Sequence, residues 1–190
     1  VSIVGENTIV PGSKPPFRAD HVGSLLRTAP LKEARAKREK GEIDAAALKA
    51  VEDREIGRII KRQEDVGLKA VTDGEFRRGS YWGRFVERTD GFEIKPASYR
   101  FRNDQGDEVD FTAPYANARI ARRQPLALDE YAFLHKATKV TGKITIPAPS
   151  TMHFYRCDDY AAASAYTDVD VFFADLAAVF RAEIAELAAA

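Results

Sequence analysis

The stretch Gln63-Glu-Asp-Val-Gly-Leu-Lys-Ala-Val-Thr-Asp-Gly-Glu-Phe76 decides the fold. It closes a helical pattern, crosses Gly67 and enters a short apolar run, Lys69 to Asp73, that meets the polar turn Gly74-Glu75. A helix, a glycine stop, a buried strand and a polar loop form the repeating unit of an α/β protein. Upstream, Ala47, Val51, Ile56, Ile59, Ile60 and Val66 recur at three-to-four spacing behind Asp44, a natural N-cap. Leu31 to Lys40 predicts an earlier helix stopped by Gly41, and Phe17 to Val22 a short strand broken by Gly23-Ser24. Downstream, Asp129 is expected to cap a helix through Lys139 with Gly142 as its stop, and Lys143 to Pro147 to form a third strand ending in Ala148-Pro149-Ser150. A last helix begins near Asp168 and carries Val171, Phe172, Leu176, Val179, Phe180, Ile184 and Leu187 on its apolar side.

Strands that alternate with helices pair in parallel, and such sheets bind ligands at the C-terminal ends of their strands. Each predicted strand ends in a polar loop: His21 to Ser24, Asp73 to Glu75, and Pro147 to Thr151. Between Tyr81 and Pro125 the pattern changes. Tyr99-Arg-Phe-Arg102 and Glu108-Val-Asp-Phe111 flank Asn103 to Asp107, which reads as an inserted β-hairpin. Residues 1–16, with two Gly and three Pro, read as an extended N-terminal arm whose role is packing or an oligomer contact. A closed (β/α) barrel needs eight strands and about 250 residues. The chain has 190 and stops on a helix, so it is expected to be a fragment whose last helix exposes an apolar face to a partner or a second copy.

Composition excludes several classes. Lys plus Arg equals Asp plus Glu, 29 against 29, so no global field draws the chain to nucleic acid, a membrane or an acidic partner. One cysteine, Cys157, excludes an internal disulfide framework and fits a reducing cytoplasm. The first residues lack the pattern of a signal peptide, and no run reaches the roughly 18 apolar residues of a membrane span.

Several residues carry potential chemistry. Asp73-Gly-Glu75 sets carboxylates at a strand end, where barrels concentrate ligand groups, although a turn with solvated acids has the same sequence. His21-Val22-Gly23-Ser24 offers an imidazole, a close-approach backbone and a hydroxyl, and Arg27 a cation for a carboxylate or for solvent. His153 and Cys157, four apart, can share a helical face with metal-ligand spacing, yet a catalytic zinc takes three protein ligands and no evident motif supplies the third. Tyr81-Trp82 and Phe85 read as core or cavity wall, and the Arg77-Arg78 and Arg122-Arg123 pairs as solvated.

Read in order, HVGSLLR (21–27), QEDVGLKAVTDGEF (63–76), ARRQPLALDEYAFLHKATKVTGKITIPAPST (121–151) and the closing helix resemble the N-terminal half of the catalytic barrel of cobalamin-independent methionine synthases, above all the short single-barrel members. The resemblance covers the chain from about Phe17 onward. It implies an α/β fold, a (β/α)8 TIM barrel of which residues 17–190 supply the first three to four β/α units. It further implies a zinc-dependent methyltransferase of methionine biosynthesis that moves a methyl group from 5-methyltetrahydrofolate to the homocysteine thiol, which zinc keeps deprotonated. Carried over by position, Val22, Gly23 and Ser24 match the residues that contact the amino-acid part of homocysteine. Glu75 matches the acid that binds its ammonium group, with His21 and Asp73 beside the same pocket, and Tyr155 stands where a Trp packs on the pterin ring. The family's zinc ligands belong to its second half and have no counterpart here, and Phe111-Thr112 replaces a folate-contacting Arg-Cys pair. The metal ligands in this chain are therefore expected to be none, and the isolated fragment inactive. Competing readings are alkyl transfer to another thiol, as in epoxyalkane–coenzyme M transferases, a metal-free relative such as the uroporphyrinogen decarboxylases, or a non-catalytic half-barrel that binds a partner.

Overall fold

A computed structural model describes residues 21–98 and 100–190. In chain order the elements are α1 (Ala29–Glu39), α2 (Ala45–Asp65), β1 (Ala70–Val71), α3 (Gly83–Glu87), β2 (Thr89–Pro96), β3 (Phe101–Arg102), β4 (Glu108–Val109), β5 (Thr112–Arg122), α4 (Leu128–Ala137), β6 (Thr141–Gly142), α5 (Thr151–Phe154) and α6 (Val169–Ala189). The predicted arm, and all but Val22 and His21 of the first predicted strand, lie outside the described residues, and those two residues carry no strand.

The first helices form as their sequence dictates. Pro30 occupies the first turn of α1, where its missing N–H is no loss. Asp44 caps α2 by accepting from the Ala47 N–H at 2.7 Å. Leu31, Ile56, Ile60, Val71, Phe76 and Leu134 then bury one core around β1.

The strand after α4 differs from expectation in position. β1 pairs in parallel with β6, Ala70 with Thr141 and Val71 with Gly142, so Gly142 lies in the strand rather than stopping the helix. The Lys143 N–H bonds to the Val71 carbonyl at 2.8 Å, and there the ladder ends. Beyond it the Thr72 N–H and carbonyl are taken by the Gln63 side-chain amide at 3.0 and 2.8 Å, and Asp73 Oδ1 accepts from the Glu75 N–H at 2.9 Å. Residues 143–147 are therefore a cavity wall and not a third strand. Among the described residues no barrel closes, and the parallel sheet has two strands.

The segment between Tyr81 and Pro125 holds more order than a hairpin. The β3–β4 hairpin is present, Phe101 opposite Val109 and Arg102 opposite Glu108. It extends a longer antiparallel ribbon of β2 and β5 that pairs Thr89 with Arg122 and Pro96 with Thr112. The register shifts between Asp90 and Phe92, and Gly91 (φ +89°) lies at that irregularity, where a Cβ would sit 2.5 Å from the Arg119 carbonyl oxygen. The ribbon corrects the expectation for the last helix. α6 begins where predicted, with Asp168 as its cap, but Phe172, Leu176, Val179 and Phe180 are buried in a second core with Phe85, Ala116 and Ile120. The larger part of the face expected to seek a partner is covered by the chain's own ribbon, while Val171 and Ile184 stay exposed.

α4 also starts differently. Its N-cap is Ala127, and Asp129 sits inside the first turn, where it pairs with Arg84 and Arg88. The acceptor for the helix start comes from α6. Glu183, fully buried, takes the Leu126 and Ala127 N–H groups at 2.7 Å each and pairs with Arg122 at 2.8 Å. Its Glu183→Ala variant strands two buried N–H donors, so unfolding in urea should show a loss of about 3 kcal/mol or more. A loss no larger than that of a surface glutamate would refute this capping role.

Candidate functional site

A cavity of about 800 Å³ opens between the two cores. Val22, Ser24, Arg27, Glu75, Arg78, Tyr81, Lys143 and Thr145 are among the residues that line it. Ser24 and Glu75, 51 positions apart in the chain, thus share one pocket, at the C-terminal end of β1.

The Glu75 turn is shaped by two arginines. Gly74 has φ +71°, and a Cβ there would lie 2.8 Å from the Phe76 ring, while Glu75 itself holds a left-handed φ of 57°. Such a backbone is costly for a non-glycine residue and persists only where its surroundings fix it. Arg27 Nη2 donates to the Glu75 and Arg78 carbonyls at 2.9 and 3.2 Å, and Arg35 Nη2 to the Phe76 and Arg78 carbonyls at 2.8 and 3.0 Å. Arg27 Nη1 also donates to Ser24 Oγ at 2.8 Å, which couples the first loop to the second. Burial, and then the charge of Arg35, pull the Arg27 pKa below its ordinary value.

Arg78, expected to be solvated, is 2% exposed. Its Nε and Nη2 donate to Glu130 Oε2 at 2.9 and 2.6 Å, its Nη1 to Thr145 Oγ1 at 2.9 Å and its Nη2 to the Thr145 carbonyl at 2.9 Å. Thr145 Oγ1 in turn donates to Glu75 Oε1 at 2.7 Å. Sequence reading missed Arg78, Glu130 and Thr145. An arginine pair and an acid in the first turn of a helix look like surface charge until the fold brings them together.

The other predicted residues are placed as follows. Gly23 is buried, with its carbonyl accepting from Thr72 Oγ1 at 2.7 Å. Asp73 is buried beneath the turn, with Oδ1 bonded to the Glu75 N–H and Oδ2 without a partner among the described residues. His21 has both ring nitrogens buried and, among the described residues, without hydrogen bonds, and its carbonyl accepts from Lys143 Nζ. None of these three is among the lining residues. Tyr155 reaches the cavity through Tyr81: their hydroxyls lie 2.7 Å apart. Burial, and then that hydrogen bond, push the Tyr81 hydroxyl up to about 12, so it stays neutral. The Tyr155 ring packs against Phe111 with centroids 4.8 Å apart, which joins two positions distant in sequence into one aromatic wall.

The spacing of His153 and Cys157 does not produce a shared helical face. α5 ends at Phe154, and Cys157 is an exposed residue at φ 49° in a separate turn. His153 is instead packed on Tyr160, Phe172 and Phe173. Among the described residues no three His, Cys, Asp or Glu side chains are placed to hold a metal ion, and no helix is long and apolar enough to cross a membrane.

The profile of the cobalamin-independent synthase catalytic domain matches residues 17–190. The chain belongs to that family. It is 40% identical over 182 residues to YxjH of Bacillus subtilis, an uncharacterised protein, covering 90% of this chain and 45% of that one. It is 28% identical over 179 residues to the 5-methyltetrahydropteroyltriglutamate–homocysteine methyltransferase of a Synechococcus strain, covering 93% of this chain and 22% of the enzyme. A solved Listeria monocytogenes protein, provisionally titled a vitamin-B12 independent methionine synthase, superposes with a TM-score of 0.71 at 33% identity, over 90% of this chain and 48% of that one. The B12-independent methionine synthase of a Shewanella strain shares the fold, with a TM-score of 0.59 at 22% identity over 77% of this chain and 41% of that one. The chain spans about half the length of YxjH and of the Listeria protein.

Asp73 generates a pH prediction. Burial, followed by the nearby Glu130 charge, raises its pKa above the ordinary aspartate value. The folded state therefore holds that proton more tightly than the unfolded chain, and stability is lost as pH rises from about 4 through the raised value. Asp73→Asn keeps the acceptor for the Glu75 N–H and removes the titration. The stability of the variant relative to wild type, measured by urea unfolding from acid to neutral pH, should climb across that window and then level. Parallel curves would show that Asp73 does not titrate there.

Proposed function

We propose that this chain forms the amino-acid end of the homocysteine site in a methyltransferase whose methyl donor is 5-methyltetrahydrofolate, built on a (β/α)8 barrel of which residues 17–190 contribute the first units. The observation that carries the reading is that opposite charges line one cavity, the Glu75 carboxylate and the Arg27 guanidinium, with the Ser24 hydroxyl bonded to Arg27. A zwitterionic amino acid matches that arrangement, its ammonium on the Glu75 carboxylate and its carboxylate toward Arg27 and the Ser24 hydroxyl. Glu75 Oε2 has no hydrogen-bonding partner among the described residues, so an acceptor remains for the ammonium.

The described residues do not fit the zinc centre that the family implies, since no three His, Cys, Asp or Glu side chains among them converge. The amino-acid end is what these residues can build: they orient the thiol substrate through its backbone atoms, while Tyr81 walls the cavity with a neutral hydroxyl, and the Tyr155 ring bonded to it adds an aromatic face that suits a flat donor ring. Alkyl transfer to a different thiol is a second reading. The relative named a homocysteine methyltransferase stands at 28% identity, a distance at which the thiol acceptor can differ.

The test uses the full-length protein of the source organism. Glu75→Gln keeps the side-chain shape and removes its charge-assisted hydrogen bond to the ammonium, which is worth about 1.5 to 3 kcal/mol. Homocysteine affinity, by titration calorimetry, should fall by about one to two orders of magnitude with zinc content unchanged. Unchanged affinity would favour another thiol, and lost zinc would make Glu75 a metal ligand.

A further inference from the structure

The buried neighbours of Glu75 raise a question of charge. Arg78 Nη1 lies 3.8 Å from Glu75 Oε1, and both side chains are almost wholly removed from water. At that depth a guanidinium and a carboxylate attract strongly, and a direct bidentate pair is their favoured geometry. They do not form one. We propose that Glu130 is a positioning residue of the cavity: it binds the Arg78 guanidinium, holds that cation off Glu75, and so leaves the Glu75 carboxylate to a cationic group of the ligand. This rests on the reading that Glu75 meets a substrate ammonium.

The geometry supports the division. Glu130 is 1% exposed and takes Nε and Nη2 of Arg78 on a single oxygen. Thr145 acts as a neutral spacer. Its hydroxyl accepts from Arg78 Nη1, so its one proton is left for Glu75 Oε1, and the bond distances of 2.9 and 2.7 Å fit that polarity. The Arg78 carbonyl is pinned by Arg27 and Arg35, so loss of Glu130 would free the side chain without moving its backbone. The other charges near the group are Arg84, whose Nε is 3.6 Å from Glu130 Oε1, and Asp73, which feels the Glu130 charge. With Glu130 neutralised, Glu75 is the anion that Arg78 already approaches most closely.

The experiment has two arms on the full-length protein. In a crystal structure of Glu130→Gln without ligand, Arg78 should have closed onto Glu75 from 3.8 Å to direct hydrogen-bond contact. In calorimetry the same variant should lose about tenfold or more in homocysteine affinity. It should bind 4-mercaptobutyrate, the same thiol acid without the ammonium, within about twofold of wild type. An unmoved Arg78, or parallel losses for the two thiols, would overturn the proposal, since a merely structural acid would weaken both alike. If wild type binds neither thiol, the functional reading fails while the crystallographic arm still decides the role of Glu130. Should Glu130→Gln not fold, Glu130→Asp draws the carboxylate back by one methylene from Arg78, and a shortened Arg78–Glu75 distance with the same selective loss is expected.

Discussion

The pairing of Arg78 with Glu130 is the constraint on which the rest of this half of the molecule depends. It ties the turn after β1 to α4, and through Thr145 to the segment after β6. A fully buried ion pair is a poor source of stability, because desolvation offsets most of its Coulomb energy. Its value here is geometric. The pair can be satisfied in one arrangement only, and that arrangement brings Glu75, Thr145 and Arg27 to the same cavity.

Glu183 repeats the device on the other side of α4. One acid from α6 accepts the N–H groups at the helix start and Arg122 from β5, while Glu130, one turn further on, accepts Arg78. α4 is therefore oriented by two buried carboxylates, one supplied to it and one supplied by it. Apolar packing brings the elements together, with Leu134 in one core and Leu126 in the other. Burial alone leaves rotation of a helix about its axis weakly specified, and these directional bonds specify it.

What was legible in the sequence follows from the range of each interaction. α1, α2 and α6 were readable because Pro30, Asp44 and Asp168 act within a turn of themselves and the apolar spacing is local. The start of α4 was not, because its acceptor lies 56 residues away from Ala127 and Asp129 is a plausible local substitute. The β2–β5 ribbon escaped because Pro114, Ala113 and Ala116 have low strand propensity, and their pairing with Ile94, Lys95 and Phe92 is a long-range register with no local signal. Without the ribbon the apolar face of α6 had nothing to cover it. Of the candidate site, Ser24 and Glu75 were found through their place at strand ends and their resemblance to family motifs. Thr145 and Glu130 carry no local signal, since their roles exist only once Arg78 is buried.

The same network bears on why Asp73 and Glu75, two residues apart, differ in environment. Around Arg78 the fold gathers three acids, Asp73, Glu75 and Glu130, against one fully buried guanidinium. Three charged carboxylates there would repel one another in a medium that screens poorly. Asp73 relieves the excess: burial and the Glu130 field raise its pKa, and its Oδ2 has no donor to favour the charged form. Glu75 stands at the cavity, where Thr145 donates to it and an ammonium can reach it. Position along the turn thus separates the three acids, with Glu130 paired to Arg78, Asp73 carrying the proton more readily, and Glu75 placed on the cavity wall.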